Sequence, residues 1–259
     1  MYSVEERELY FQKLVKQLEE SDLVEGVVQL GSGVKGYRDE FSDIDLMVCT
    51  VEEVEQLKDY VLQCLGEFNV AYMKAKRHSE QVYIIIAILE NGLEFNISTL
   101  PTAYLNVRSP LWKVLVDKTG IVLKNMNFEH ERFSNRQVKY YVTPDIVFEF
   151  VYFMRRLNIE LKRNNLIYAM KIIEMLQGFI LEVQALNENK KLHQFKAYDT
   201  LDPSFIRKYL LTYPNETNSE NIQESAKKLK ALFLEVIEKS DFARPDEKLM
   251  CLLEGGVAR

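Results

Sequence analysis

The chain of 259 residues has few of the features that define disulfide-rich, zinc-binding or membrane-spanning proteins. Its three cysteines, Cys49, Cys64 and Cys251, are scattered and odd in number, and no Cys-x-x-Cys spacing accompanies them. This pattern argues against a disulfide framework and a zinc site, and it favours a reducing cytoplasm. The longest apolar run, residues 82–89, is far shorter than the roughly 18 residues of a membrane span, so no membrane partner is expected.

The sequence also lacks an excess of positive charge, since its formal net charge is −6. A broad nucleic-acid surface normally requires a basic face, so we expect no nucleic-acid partner, although a small basic pocket is compatible with this balance. With 47% hydrophobic and 28% charged residues, the composition is that of a globular protein with one or two domains.

Two common phosphate-binding signatures are missing from the glycine-containing stretch that follows residues 27–30. The segment Gly31-Ser32-Gly33 has neither the Gly-Lys-Ser/Thr ending of a P-loop nor the Gly-x-Gly-x-x-Gly spacing of a dinucleotide fold. A Gly-Ser turn after a buried strand nevertheless lets the backbone approach an anion, and the hydroxyl of Ser32 can bind phosphate. Taken alone, such a turn is more often a plain loop.

A second strand is predicted from Asp43 to Cys49, and two of its residues are acidic. Because side chains two apart on a strand share a face, Asp43 and Asp45 project together and their charges repel. A divalent cation such as Mg²⁺, which binds one or two carboxylates together with substrate phosphates, would relieve that repulsion. The alternative is a solvated strand end.

The combination of Gly31-Ser32 with Ser42-Asp43-Ile44-Asp45-Leu46 resembles the signature of the DNA polymerase β-type nucleotidyltransferase superfamily. The resemblance implies that Gly31 and Ser32 hold a nucleoside triphosphate such as ATP, and that Asp43 and Asp45 bind two Mg²⁺ ions. It also implies a third metal-binding carboxylate on a later strand. Lys35, in the same turn, is a candidate partner of the β- or γ-phosphate.

Two neighbouring residues compete for the third position. Residues 82–89 are apolar on both faces, which predicts a central strand, and Asn91-Gly92 predicts a hairpin that returns along residues 93–99. Glu94 is the only acidic residue on that strand, and its placement resembles the general base of lincosamide nucleotidyltransferases. Counting back from Pro101, as in many aminoglycoside adenylyltransferases, would put Asn96 there instead, and an amide cannot accept a proton. We favour Glu94 as the metal-binding and catalytic carboxylate.

The composition changes near residue 141, where apolar positions at helical spacing replace strand patterns. The later helical segments resemble the C-terminal domain of aminoglycoside 6-adenylyltransferases. We therefore predict an α+β protein, in which residues 1–140 form a nucleotidyltransferase domain with a small mixed sheet flanked by helices. Residues 141–259 are expected to form an all-α helical bundle.

The sequence thus predicts an Mg²⁺-dependent adenylyltransferase that uses ATP, acts on a hydroxyl of a small molecule and is a monomer or homodimer. The resemblance implies an aminoglycoside or lincosamide antibiotic as acceptor, and hence a role in antibiotic resistance. Two alternatives remain open: a nucleotidyltransferase with a protein or RNA acceptor, and a catalytically degenerate nucleotide-binding or partner-binding protein of the same fold.

Overall fold

The protein is described here from a computed structural model, which covers residues 2–36, 41–51, 54–136, 139–140, 142–191, 197–243 and 246–254. The chain divides into two compact units, Met1–Lys139 and Tyr140–Arg259. Within the described residues, strands occur only in the first unit, and the second unit contains helices, as the predicted α+β class requires. No helix in these ranges is long and apolar enough to cross a membrane. The assignment of separate nucleotidyltransferase and helical domains to residues 1–140 and 141–259 stays a prediction.

The first unit contains six strands and three helices in its described part. The strands are β1 (Gly26–Leu30), β2 (Ile44–Thr50), β3 (Val70–Ser79), β4 (Val82–Leu89), β5 (Glu94–Pro101) and β6 (Trp112–Asp117). The helices are α1 (Val4–Glu20), α2 (Val54–Gly66) and α3 (Ile121–Ser134), and short 3-10 turns lie at Gly31–Lys35 and Thr102–Tyr104.

The six strands form one mixed sheet in the order β3-β4-β5-β2-β1-β6. Only β2 and β5 pair in parallel, and the other neighbours are antiparallel. The hairpin between β4 and β5 turns at Gly92, whose φ of 88° explains why Asn-Gly stands there. The predicted mixed sheet flanked by helices is therefore present.

The two faces of this sheet differ in what covers them. One face carries the core of the unit, where alternate residues such as Leu46, Ile85 and Phe95 are buried against α1 and α2. On the opposite face α3 packs closely against β1. A Cβ placed on Gly26 would lie only 2.5 Å from Cγ2 of Val122, so glycine makes this close approach possible. That opposite face also carries the acidic residues of the candidate site.

The second unit is helical over its described residues. Its helices are α4 (Ile146–Lys162), α5 (Leu166–Asn187), α6 (Ala197–Thr200), α7 (Pro203–Leu210), α8 (Ser219–Glu238) and α9 (Glu247–Glu254). Three residues join α4 to α5, and the buried carboxylate of Glu160 fixes this connection by accepting hydrogen bonds from Arg163 and Asn165, each at 3.0 Å. In the core, the rings of Phe150 and Phe233 stack with centroids 3.6 Å apart.

Candidate active site

The Gly-Ser turn begins directly where β1 ends. Gly31 has a φ of 70°, a region that favours glycine, and its N–H donates a hydrogen bond of 3.2 Å to the carbonyl of Leu111. A Cβ at this position would lie 2.7 Å from Oδ2 of Asp45. Glycine is therefore required both for the backbone conformation and for the close approach of the turn to Asp45.

The two aspartates lie at the start of β2. Ile44, between them, is fully buried in the core, so the strand alternation places Asp43 and Asp45 on the opposite face. Burial and, to a smaller extent, the charges of Asp43 and Glu94 together raise the pKa of Asp45 to about 7. Because this negative charge is poorly compensated, the pair is a favourable place for a cation.

Glu94 and Asn96 meet the aspartates through the parallel pairing of β2 with β5, in which Asp45 lies opposite Asn96. The side-chain amide of Asn96 donates one hydrogen bond of 2.7 Å to Oδ2 of Asp43 and another of 3.1 Å to Oε1 of Glu94. Both candidates for the third position are thus in the same cluster. Asn96 stands beside the aspartates, and Glu94 is joined to Asp43 through it.

Ser32 and Lys35 lie in the 3-10 turn that follows Gly31. Ser32 is half-buried, whereas Lys35 is exposed at the last residue of the turn. The turn contacts β1, β2 and β6, so its backbone position is fixed from three strands. The roles of Ser32 and Lys35 in phosphate binding stay predictions.

The donor set suits a magnesium ion that is shared with a nucleotide. Among the residues that the structure describes, no group of three or more His, Cys, Asp or Glu side chains is arranged so that it could hold a metal ion. Two adjacent carboxylates, one with a pKa raised by burial and by its acidic neighbours, do fit the Mg²⁺ preference for one or two carboxylates completed by phosphate oxygens. The prediction that Glu94 is a third direct ligand stays untested.

Two residues of the N-terminal segment support the aspartates and were missed from the sequence. The hydroxyl of Tyr2 and Nη1 of Arg7 both donate to the carbonyl of Ser42, at 2.9 and 3.2 Å, directly before Asp43. Arg7 is buried, and it shares the inner face of α1 with Leu14 and Leu18. The sequence did contain a signal for this role, because Arg7 lies seven and eleven residues before the two leucines and so falls on the same helix face. A buried arginine needs a polar partner, which points to a structural contact.

The match to a known family identifies the class of protein. Residues 5–244 match a family model whose members carry out nucleotidyl transfer, so this chain is a nucleotidyltransferase, as the sequence predicted. The family is described as streptomycin adenylyltransferase, and the chain belongs to it. The sequence has no match among curated proteins.

The chain is also similar to solved structures of low sequence identity. An aminoglycoside 6-adenyltransferase from Bacillus subtilis is 16% identical, with a TM-score of 0.42 and 98% of each chain covered. A nucleotidyltransferase-like protein from Exiguobacterium sibiricum is 10% identical, with a TM-score of 0.44, and the alignment covers 90% of this chain and 76% of that one. At these values the likeness adds nothing to the family assignment.

Proposed function

We propose that this enzyme transfers AMP from ATP to a hydroxyl group of a small molecule and releases pyrophosphate, with Mg²⁺ as cofactor. Aminoglycoside and lincosamide antibiotics are the acceptor classes that the family resemblance suggests. The observation that supports the proposal is the approach of the Gly31 turn to Asp45, with Asp43 beside it and Glu94 connected through Asn96. The turn that we propose to bind phosphate therefore lies beside the carboxylates that we propose to bind Mg²⁺.

In this mechanism each residue acts on charge or position. Asp43 and Asp45 would hold Mg²⁺, which when bound neutralises phosphate charge and makes the acceptor hydroxyl more acidic. The backbone of the Gly31 turn and the hydroxyl of Ser32 orient the phosphates, and Lys35 pairs with the β- or γ-phosphate.

The chemical step is a displacement at the α-phosphorus. The acceptor oxygen forms a bond to this phosphorus while the bond to the bridging oxygen of the β-phosphate breaks. Glu94 takes the proton of the hydroxyl, and pyrophosphate leaves with the electron pair of the broken bond. Asn96 holds Glu94 and Asp43 at a fixed separation through its two N–H groups.

One observation favours a catalytically degenerate binding protein as the second candidate. Asn96, not Glu94, is the residue paired with Asp45 in the parallel register. If the third carboxylate of the reaction must stand there, the chain has an amide that accepts no proton. Such a protein would bind ATP without turning it over.

A pair of variants separates the two candidates when pyrophosphate release from Mg·ATP is measured over a panel of aminoglycosides and lincosamides. If Glu94 is the base, Glu94→Gln should slow turnover by about 100-fold with little change in ATP affinity, and Asn96→Asp should not increase it. If the site is degenerate, the wild type should bind ATP without release, and Asn96→Asp should create activity. Asp45→Asn serves as the control: it should abolish Mg²⁺-dependent release in the wild type if Glu94 is the base, and in the Asn96→Asp variant if the site is degenerate.

A further inference from the structure

The sheet face that carries the carboxylates extends across β4 and β3. Residues that pair directly across strands point to the same face, so the register continues from Asp45 and Asn96 to Ile86 and then Lys74. With neighbouring strands about 4.8 Å apart, Lys74 lies roughly 14 Å from Asp45 along this row. The row therefore connects the carboxylates with a lysine at the edge strand.

Two parallel rows repeat this arrangement. One runs from Ser98 through Ile84 to Lys76, and the other runs from Glu94 through Ile88 to Tyr72. We call the outer part of these three rows the outer face; it consists of Tyr72, Lys74, Lys76, Ile84, Ile86 and Ile88.

The outer face is accessible and positively charged. Ile86 and Ile88 are 39% and 37% exposed, and Tyr72 is 59% exposed. Lys74 and Lys76 are exposed as well, and within the described part of the chain neither ammonium group forms an ion pair. Three isoleucines in a row, flanked by two unpaired cations, are unusual for a solvated surface and typical of a binding surface.

The strand order determines which reactant reaches this face. The Gly31 turn lies on the β1 side of β2, whereas Glu94 and the outer face lie on the β5 side. In phosphoryl-type transfer the attacking and leaving oxygens are roughly in line, so they lie on opposite sides of the phosphorus. If pyrophosphate leaves over the turn, the acceptor must attack from the side of β5 and β4.

We propose that the outer face is the acceptor subsite and that it selects a hydroxyl compound with an apolar body and an anionic group. This inference rests on the proposed nucleotidyl transfer, and it replaces the antibiotic acceptors suggested by the family resemblance with a class that the charges of this face favour. The isoleucines cover the apolar body, and Lys74 and Lys76 attract the anionic group. A polycation such as an aminoglycoside is repelled by the same two lysines.

The first test measures binding without knowledge of the natural acceptor. The probe is 8-anilinonaphthalene-1-sulfonate, an apolar anion whose fluorescence increases on binding. We expect the double variant Lys74→Glu/Lys76→Glu and the single variant Ile86→Asn to weaken its Kd at least tenfold. Lys227→Glu/Lys228→Glu, two exposed lysines on α8 with the same charge change, should leave the Kd within twofold. Absence of saturable binding, or equal weakening in the control, would overturn the inference.

The second test is kinetic and uses streptomycin, lincomycin and cytidine 5′-monophosphate as acceptors in pyrophosphate release. The nucleotide joins a planar ring and sugar hydroxyls to an anionic phosphate. For cytidine 5′-monophosphate, Lys74→Glu/Lys76→Glu should raise the KM of the acceptor at least tenfold and leave the KM of ATP within twofold, whereas for streptomycin the same variant should lower the acceptor KM. Efficient turnover of streptomycin that stays unchanged in this variant contradicts the subsite, because repulsion by the two lysines requires the variant to accept this cation better. Silence with all acceptors counts against the proposed function, and the probe titration then still decides whether the outer face binds apolar anions.

Discussion

The two faces of β4 carry similar apolar residues but differ in how far these residues are buried. Ile85 and Ala87 are fully buried in the core of the first unit, whereas Ile86 and Ile88, their neighbours in sequence, remain more than one third exposed on the other face. The strand lies inside the sheet, between β3 and β5, as its apolar character predicts. Two apolar faces therefore establish an interior strand, but they do not establish that protein covers both of them.

This difference assigns separate tasks to alternate residues. The core face stabilises the unit by removing apolar surface from water, while the opposite face carries the carboxylates and isoleucines of the proposed binding sites. Removing an apolar side chain from the core face should lower stability strongly, whereas removing one from the opposite face should mainly change binding or turnover. Substitutions at Ile85, Ile86, Asp45, Gly31 and Tyr2 test that separation.

Replacing the adjacent residues Ile85 and Ile86 by alanine should give the largest difference in the free energy of unfolding. Ile85→Ala leaves a cavity in the core and should lower the free energy of unfolding by about 2–5 kcal/mol. Ile86→Ala removes exposed side chain and should cost less than about 1 kcal/mol. Urea denaturation of both variants measures this, and equal losses would show that the outer face is covered in solution.

Asp45→Asn should stabilise the ligand-free protein at neutral and higher pH. The pKa of Asp45 is raised from 3.8 to about 7 by burial and by the neighbouring carboxylates, so in that range the folded protein retains a proton that the unfolded chain releases. The stability of the wild type should therefore fall as the pH rises from about 4 to about 7.

The asparagine variant lacks this loss, and its advantage should reach on the order of 2 kcal/mol above pH 7 and disappear below pH 4. Thermal unfolding across pH 4–8, without Mg²⁺ or ATP, gives the measurement. A variant that is less stable than the wild type at pH 8 would contradict the electrostatic account of the site.

Gly31→Ala should lower both stability and turnover, and the loss of stability should be smaller than that of Ile85→Ala. An alanine must adopt a φ of 70° and must place its Cβ against the carboxylate of Asp45, so we expect a loss of about 1–2 kcal/mol in stability. Turnover should also fall, because the turn has to move away from Asp45. Gly92→Ala, at a φ of 88° with open space around it, is the matched control and should lose stability but not turnover.

Tyr2→Phe should give the smallest effect. It removes one hydrogen bond to the carbonyl of Ser42 while Arg7 retains its own, so the cost should be about 1 kcal/mol or less. If Ser42 positions Asp43, the KM of Mg·ATP should rise modestly while the outer face remains unaffected in the probe titration. A change in probe binding would mean that the hydrogen bond of Tyr2 to Ser42 influences more of the sheet than Asp43.

Local patterns account for the parts of the fold that the sequence predicted. Short apolar runs predicted buried strands, Asn91-Gly92 predicted the hairpin, and Gly31-Ser32 with Asp43 and Asp45 carried the family resemblance. The arrangement of Asn96 between Asp43 and Glu94 could not be predicted, because it depends on the register of β2 against a strand fifty residues later. The burial of Arg7 depends on a similarly distant partner, the carbonyl of Ser42.

The parallel pairing of β2 with β5 also has a consequence for the order in which the chain folds. Residues 45 and 96 can pair only after the intervening chain has closed a long loop, whereas β4 and β5 join through a short hairpin. Loop closure opposes such a distant contact more than it opposes the hairpin, so we expect β4 and β5 to pair before β2 joins them. The carboxylate cluster would then form only after the hairpin. Nucleotide turnover would then report that the sheet has been completed, and a nascent chain that ends before β5 would carry its aspartates without an active site.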